Sequence, residues 1–136
     1  MLSPTVDTWR LFLHVLSASV WVGGQIALAG VVPAVRRAAP EATKPVARAF
    51  ARVAWPAFAV VVVSGLWNLA EVDVADTSTG YQITLLVKIT LAVASGAAAV
   101  VHTVGRSRAA MAVGGAVGLL GALGAMFCGY LLTTGR

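Results

Sequence analysis

The chain has 136 residues, of which 59% are hydrophobic and 11% charged, and its mean hydropathy is +0.87. Soluble domains carry about 25% charged residues, so this composition cannot cover a water-facing surface and excludes a soluble enzyme. The formal net charge of +5 is compatible with nucleic acid in principle. The basic residues, however, are confined to short connectors between apolar runs, which indicates membrane topology and no nucleic-acid partner.

Four apolar runs are long enough to cross a bilayer, for which about 20 residues are needed. They cover residues 11–35, 53–70, 81–104 and 109–133. In lipid each backbone polar group has to be paired within its own segment, so the runs are predicted to be helices. Pro56 is expected in the first turn of the second helix, where proline is tolerated. Because the connectors are short, we predict an all-α fold: one domain, residues 1–136, forming an up-down antiparallel four-helix membrane bundle.

The charges of the connectors predict how the helices are oriented. Five basic residues separate the first two runs, and they are Arg36, Arg37, Lys44, Arg48 and Arg52. Arg106 and Arg108 separate the last two, whereas the middle connector carries only Glu71, Asp73 and Asp76. Basic connectors stay in the cytoplasm, so both termini and the acidic connector are expected on the extracytoplasmic side.

Small residues recur along the fourth run at three- and four-residue steps. They are Gly114, Gly118, Gly121, Gly124 and Ala125. Such a face lets membrane helices approach closely. We expect it to pack within the bundle, the alternative being a seam for a homo-oligomer or a larger membrane complex.

Polar residues within the runs are costly and call for an explanation. His14, Ser17, Trp21 and Gln25 share one face of the first helix, and Thr84, Lys88, Ser95 and His102 follow the third. His14 is near the outer end of its helix and His102 near the inner end, about 20 Å apart at 1.5 Å per residue. The two histidines therefore cannot ligate one metal or one haem within a subunit.

Each of the four helices is predicted to place at least one polar, aromatic or sulfur-containing side chain at the depth of His14. Together these side chains would form an outward-facing layer. Its other members are Trp67, Asn68, Lys88, Met126, Cys128 and Tyr130. For most of these residues a structural role is the plain alternative: hydrogen bonding for His14, snorkelling for Lys88, interface anchoring for Trp67 and core packing for Met126 and Cys128.

Four stretches in order resemble the CopD family of bacterial copper-resistance membrane proteins. They are LHVLSASVWVGG, VVPAVRR, SGLWN and GYQITLLVKITLAV. The positions that match the family pattern are His14, Trp21, Gly23, Gly24, Pro33, Ser64, Gly65, Tyr81 and Lys88. The resemblance implies a multi-pass protein of a bacterial plasma membrane that handles copper, and the chain would correspond to a four-helix module of such proteins.

A weaker resemblance is to HemJ-type protoporphyrinogen oxidases, which also have a first-helix histidine and a third-helix lysine. The arginine that follows the first-helix tryptophan motif of that family is missing here, where residues 25–32 read QIALAGVV.

Three functions follow from these observations. In the first, copper is bound at the outer face by His14, Met126 and Cys128, since imidazole, thioether and thiolate suit Cu(I). In the second, haem b is bound, with His14 as axial ligand, Trp21 and Trp67 beside the macrocycle and Lys88 paired with a propionate. In the third, the chain is a structural accessory subunit. No phosphate loop, nucleophile constellation or paired carboxylate is present in the sequence, which favours binding over catalysis.

Overall fold

The computed structural model describes residues 3–135, and within them the chain is helical apart from its connectors. The four α-helices are α1 (Val6–Ala38), α2 (Thr43–Ala70), α3 (Thr79–Val104) and α4 (Arg108–Thr134). Two 3₁₀ turns, Pro40–Ala42 and Val74–Asp76, lie in the connectors, and residues 3–135 contain no strand. All four helices are long and apolar enough to cross a membrane. The predicted all-α fold is confirmed for these residues, and the four helices support the prediction of a multi-pass membrane protein.

Three of the helices begin at a hydroxyl side chain that caps free backbone N–H groups. Thr5 and Thr8 form a capping box at the start of α1. Ser78 accepts from the backbone N–H of Tyr81 at the start of α3, and Ser107 accepts from that of Ala110 at the start of α4. Because the first N–H groups of a helix have no partner within it, these caps define where the helices begin.

The helix α2 begins at Thr43, whereas the predicted span begins at Val53. The expectation that Pro56 lies in the first turn is wrong, since Pro56 is inside the helix. Its nitrogen carries no hydrogen, so the carbonyl of Arg52, four residues earlier, lacks its usual helical donor. The basic residues predicted in the first connector belong to helices. Arg36 and Arg37 are in the last turn of α1, and Lys44, Arg48 and Arg52 are in α2.

The chain divides into two compact units, one within residues 1–72 and one within residues 73–136. Each unit is a helical hairpin, α1 with α2 in the first and α3 with α4 in the second. In the first hairpin Trp21 lies against Phe58 and Trp55, with ring centroids 4.4 Å and 5.6 Å away. Large rings on both helices thus fill the interface between α1 and α2.

The two helices of the second hairpin pack together through small residues. A Cβ built on Gly114 would lie 2.8 Å from the carbonyl oxygen of Ala98, and one on Gly121 would lie 3.0 Å from that of Leu91. The α4 backbone therefore approaches α3 closely at two levels. The expectation that the glycine face of α4 packs inside the protein is confirmed within this hairpin, because that face lies against α3.

Large apolar side chains are exposed along every helix. Examples are Leu13 on α1, Val63 on α2, Val93 on α3 and Leu120 on α4, which are 42%, 66%, 65% and 68% exposed. Apolar surface of this extent on a helix long enough to span a bilayer is suited to contact with lipid.

Candidate functional site

His14 contacts α2 through its imidazole ring. The helix α1 carries His14 on the same face as the buried Ser17 and Trp21, and this face is turned toward α2. His14 Nδ1 lies 2.9 Å from the hydroxyl oxygen of Ser64, which is buried. The His14 ring thus has a hydrogen-bond partner on the neighbouring helix, whereas the Ser17 hydroxyl bonds to the backbone carbonyls of Leu13 and His14.

The protonation of the His14 ring nitrogens follows from the other contact of Ser64. The Ser64 hydroxyl oxygen lies 2.5 Å from the carbonyl oxygen of Val60. Two oxygens this close need a hydrogen between them, so the single hydroxyl hydrogen of Ser64 is donated to Val60. Ser64 can then only accept from His14, which places a hydrogen on Nδ1. In a neutral ring Nε2 therefore carries the lone pair, as metal coordination requires.

Gly65 makes room for the imidazole. A Cβ at position 65 would lie 3.3 Å from Cε1 of His14 and 3.8 Å from its Nδ1. The first distance is tighter than ordinary van der Waals contact, so a side chain here would push against the ring. The Ser64–Gly65 pair thus combines a hydrogen-bond acceptor with an open backbone at one level of α2.

Two polar atoms without hydrogen-bond partners lie one turn from the His14–Ser64 contact, toward the N-terminal end of α1 and the C-terminal end of α2. They are Nε of Arg10, four residues before His14, and Oδ1 of Asn68, four residues after Ser64; both are buried. The pairing of His14 with Ser64 in antiparallel helices puts Arg10 and Asn68 at the same level. The Arg10 guanidinium also donates to Asp7 through Nη2, at 2.9 Å. Arg10, paired with Asp7, therefore lies one helical turn from His14 on the same face of α1.

The two predicted cofactor-flanking tryptophans have other contacts. Trp21 is 5% exposed, and Phe58 lies against it. Trp67 is 41% exposed, and its indole N–H donates to Glu71 at 3.2 Å. Trp21 is thus a packing residue of the first hairpin, and the contact with Glu71 orients Trp67 at the C-terminal end of α2.

In the second hairpin Lys88 reaches across from α3 to α4. A Cβ on Gly129 would lie 3.3 Å from Nζ of Lys88 and 3.5 Å from Cε. Lys88 thus reaches α4 at Gly129, the residue that follows Cys128.

Met126 and Cys128 point to different sides of α4. Cys128 is buried at 8% exposure, whereas Met126 is 41% exposed. Residues two apart on a helix differ by about 200° in direction and do not face each other. Among residues 3–135, no group of three or more His, Cys, Asp or Glu side chains is arranged to hold a metal ion.

His102 joins the C-terminal end of α3 to the N-terminal end of α4. Its Nδ1 lies 2.6 Å from the backbone carbonyl oxygen of Met111. A carbonyl can only accept, so His102 Nδ1 carries a hydrogen and donates it. His102 is 9 residues from Met111 in sequence and spans the turn between the two helices, which gives it a structural role close to the interfacial one predicted.

Reasoning from the sequence missed Arg10 as a member of the His14 site. The signal was present, since a four-residue step from His14 places Arg10 on the same helix face. Arg10 precedes the apolar run from which the first span was predicted, but α1 begins before it, at Val6.

The chain matches no protein-family model, no curated protein and no solved structure.

Proposed function

We propose that this chain is a small multi-pass membrane protein that binds a transition metal through Nε2 of His14, with copper as the metal. The observation that carries the proposal is the hydrogen bond between His14 Nδ1 and Ser64. Ligating histidines commonly donate their second ring N–H to a fixed acceptor, which orients the lone pair of the other nitrogen. Ser64 meets this requirement because its own hydrogen is donated to Val60.

Copper is the proposed metal because of the CopD-like order of motifs, among whose positions are His14, Ser64 and Gly65. Gly65 and Ser64 both contact His14, so these motif positions together orient one imidazole ring. Cys128 remains a predicted thiolate ligand, to be tested separately. Met126 has less support, since it lies on another side of α4 from Cys128.

A second candidate, haem b with His14 as axial ligand, is favoured by Arg10. Arg10 precedes His14 by one helical turn, and its side chain, which is paired with Asp7, is only 11% exposed. A largely buried cation one turn from the ligand would repel a free copper ion but would pair well with a haem propionate. The porphyrin supplies four nitrogen ligands itself, so one histidine suffices for five-coordinate iron.

We further propose the up-down bundle topology, with both termini outside a bacterial plasma membrane. The support is the charge asymmetry, with Lys44, Arg48 and Arg52 at one end of α2 and Glu71 at the other. A cysteine introduced at Thr77 in a Cys128→Ser background is expected to react with an impermeant reagent added from outside. Reaction from the cytoplasmic side only would reverse the orientation.

The metal proposal is tested on protein purified in detergent, by metal mass spectrometry and visible spectroscopy. Bound copper is expected in the wild type, lost in His14→Ala and reduced about tenfold or more in Ser64→Ala. His102→Ala is the matched control, since it removes the other histidine and should keep the copper.

Three outcomes decide between the candidates. Copper retained in His14→Ala contradicts the proposal. A Soret band that is lost in His14→Ala would identify haem, in place of copper, as the bound group. Arg10→Gln is then expected to weaken haem retention. If neither ligand binds after reconstitution, the accessory-subunit function is favoured.

A further inference from the structure

The first turns of α2 carry an exposed basic face. Lys44, Arg48 and Arg52 follow each other at four-residue steps within the helix, and all three are exposed. On a helix, residues four apart are neighbours on one side. Because α2 begins at Thr43, these three cations form one row and are not dispersed along a loop.

This row of like charges is unfavourable by itself. Like charges four residues apart destabilise a helix by about 0.2–0.5 kcal/mol per pair. The only carboxylate within residues 36–52 is Glu41, which is exposed. In the described part of the chain, residues 3–135, the ion pair found is that of Arg10 with Asp7, so none of the three cations has a carboxylate partner there. An external anion would relieve the repulsion.

A shallow cavity lies within this face. It has a volume of about 200 Å³ and is lined by Pro45, Arg48, Ala49 and Arg52. Pro45 and Ala49 are small and contribute no charge, while the two arginines supply guanidinium groups. Guanidinium forks bind phosphate oxygens with paired, charge-assisted hydrogen bonds. The lining therefore fits a phosphate group.

The cavity is next to the membrane-spanning part of α2. Arg52 is followed directly by an uncharged run, residues 53–70, whose first member Val53 is 58% exposed. A cavity at the boundary between a basic turn and an apolar span lies at the level of lipid headgroups, where basic residues attract anionic lipids.

We infer that the cavity formed by Pro45, Arg48, Ala49 and Arg52 binds the phosphate of an anionic phospholipid from the surrounding leaflet. The two guanidinium groups hold the phosphate oxygens, and the acyl chains lie along the exposed apolar surface of α2 beyond Val53. Lys44 adds charge at the outer edge of the site. This inference is independent of any metal at His14, which lies near the opposite end of the hairpin, at the level of Ser64.

The test is native mass spectrometry of the intact chain released from micelles that contain phosphatidylglycerol or phosphatidylcholine. The wild type is expected to retain one phosphatidylglycerol in preference to phosphatidylcholine. Arg48→Gln/Arg52→Gln is expected to reduce the retained fraction about tenfold, in line with the loss of two charge-assisted contacts. Arg36→Gln/Arg37→Gln is the matched control, because it removes the same charge from the same end of the hairpin but leaves the cavity lining intact.

A variant that keeps the charge separates guanidinium geometry from simple attraction. Arg48→Lys/Arg52→Lys is expected to retain an intermediate fraction of lipid, since ammonium groups cannot form the paired contacts. Equal losses in the cavity variant and in the Arg36/Arg37 control would overturn the inference and leave a diffuse electrostatic attraction. Equal retention of both lipids would overturn it as well. Full displacement of the lipid by millimolar inorganic phosphate would assign the cavity to a soluble phosphate instead.

Discussion

The hydroxyl of Ser95 donates a 2.7 Å hydrogen bond from α3 to the backbone carbonyl of Gly118 on α4. Ser95 has no exposed surface, and a Cβ on the nearby Gly121 would lie 3.4 Å from its own Cβ. A small polar side chain thus binds the facing helix where two backbones approach each other. This combination is typical of contacts between membrane helices, in which close approach and polar bonds replace the hydrophobic effect.

Replacing Ser95 by alanine is expected to destabilise the second hairpin modestly. Hydrogen bonds between membrane helices contribute about 0.6 kcal/mol on average, and the lost group leaves little space. Ser95→Val should cost more, about 1–3 kcal/mol, because the added methyl groups overpack the site. The free energy of unfolding in mixed micelles measures both changes. Ser19→Ala is the control, since its hydroxyl bonds only to Val15 of its own helix; an equal loss there would refute the role of the Gly118 contact.

Gly114→Ala is expected to loosen the packing of α3 against α4. The new Cβ would lie 2.8 Å from the Ala98 carbonyl oxygen and 2.8 Å from the His102 backbone nitrogen. Because both are backbone atoms, the helices have to separate, at a cost of about 1–3 kcal/mol.

Gly30→Ala provides the comparison for that measurement. Apart from its chain neighbours and the backbone of its own helix, no atom lies within 4 Å of a Cβ built at position 30. Alanine favours a helix over glycine by up to about 1 kcal/mol, so this variant should unfold at the same free energy or a higher one. An equal free energy of unfolding for Gly114→Ala and Gly30→Ala would contradict the close approach of α4 to α3 at Gly114.

The tautomer of His14 can be observed directly by ¹⁵N NMR of histidine-labelled protein. At a pH where the rings are neutral, the hydrogen should reside on Nδ1, because Ser64 accepts from that atom. Ser64→Ala is expected to shift the population toward the Nε2–H form. The chain has two histidines, so the His102→Gln spectrum assigns the signals. A His14 ring with its hydrogen on Nε2 in the wild type would remove the support for metal binding through that nitrogen.

Lys88→Met is expected to stabilise the second hairpin. Lys88 is half-buried within a membrane-spanning helix, and no carboxylate forms an ion pair with it among residues 3–135. Removing a charge from a transmembrane helix relieves a penalty of up to about 3 kcal/mol, less where the side chain reaches the interface. Thermal unfolding in detergent measures the change.

The matched control for Lys88 is Lys44→Met, at the exposed start of α2. Surface substitutions of this kind stay within about 0.5 kcal/mol. A loss of stability in Lys88→Met larger than in the control would show that the ammonium contributes a stabilising contact. A gain would indicate that the lysine is retained at a cost in stability, as functional charges in membranes are.

Much of the local structure could be predicted from the sequence, with definite exceptions. The four helices, the polar face of α1 and the inward glycine face of α4 followed from hydropathy and helical period. The start of α2 did not, because its first turns carry Lys44, Arg48 and Arg52 and lack the apolar signal of a span. The divergence of Met126 and Cys128 was available from their spacing, since residues two apart cannot share a helix face.

The sequence by itself determined the class of this protein. Runs of about 20 apolar residues form helices in lipid, because every backbone polar group must be hydrogen-bonded within its own segment. Only the tertiary structure decided which side chains meet. The partners Ser64 and Gly65 for His14, and Gly118 for Ser95, depend on the register between two helices. That register is set by packing along their whole length, which no local pattern encodes.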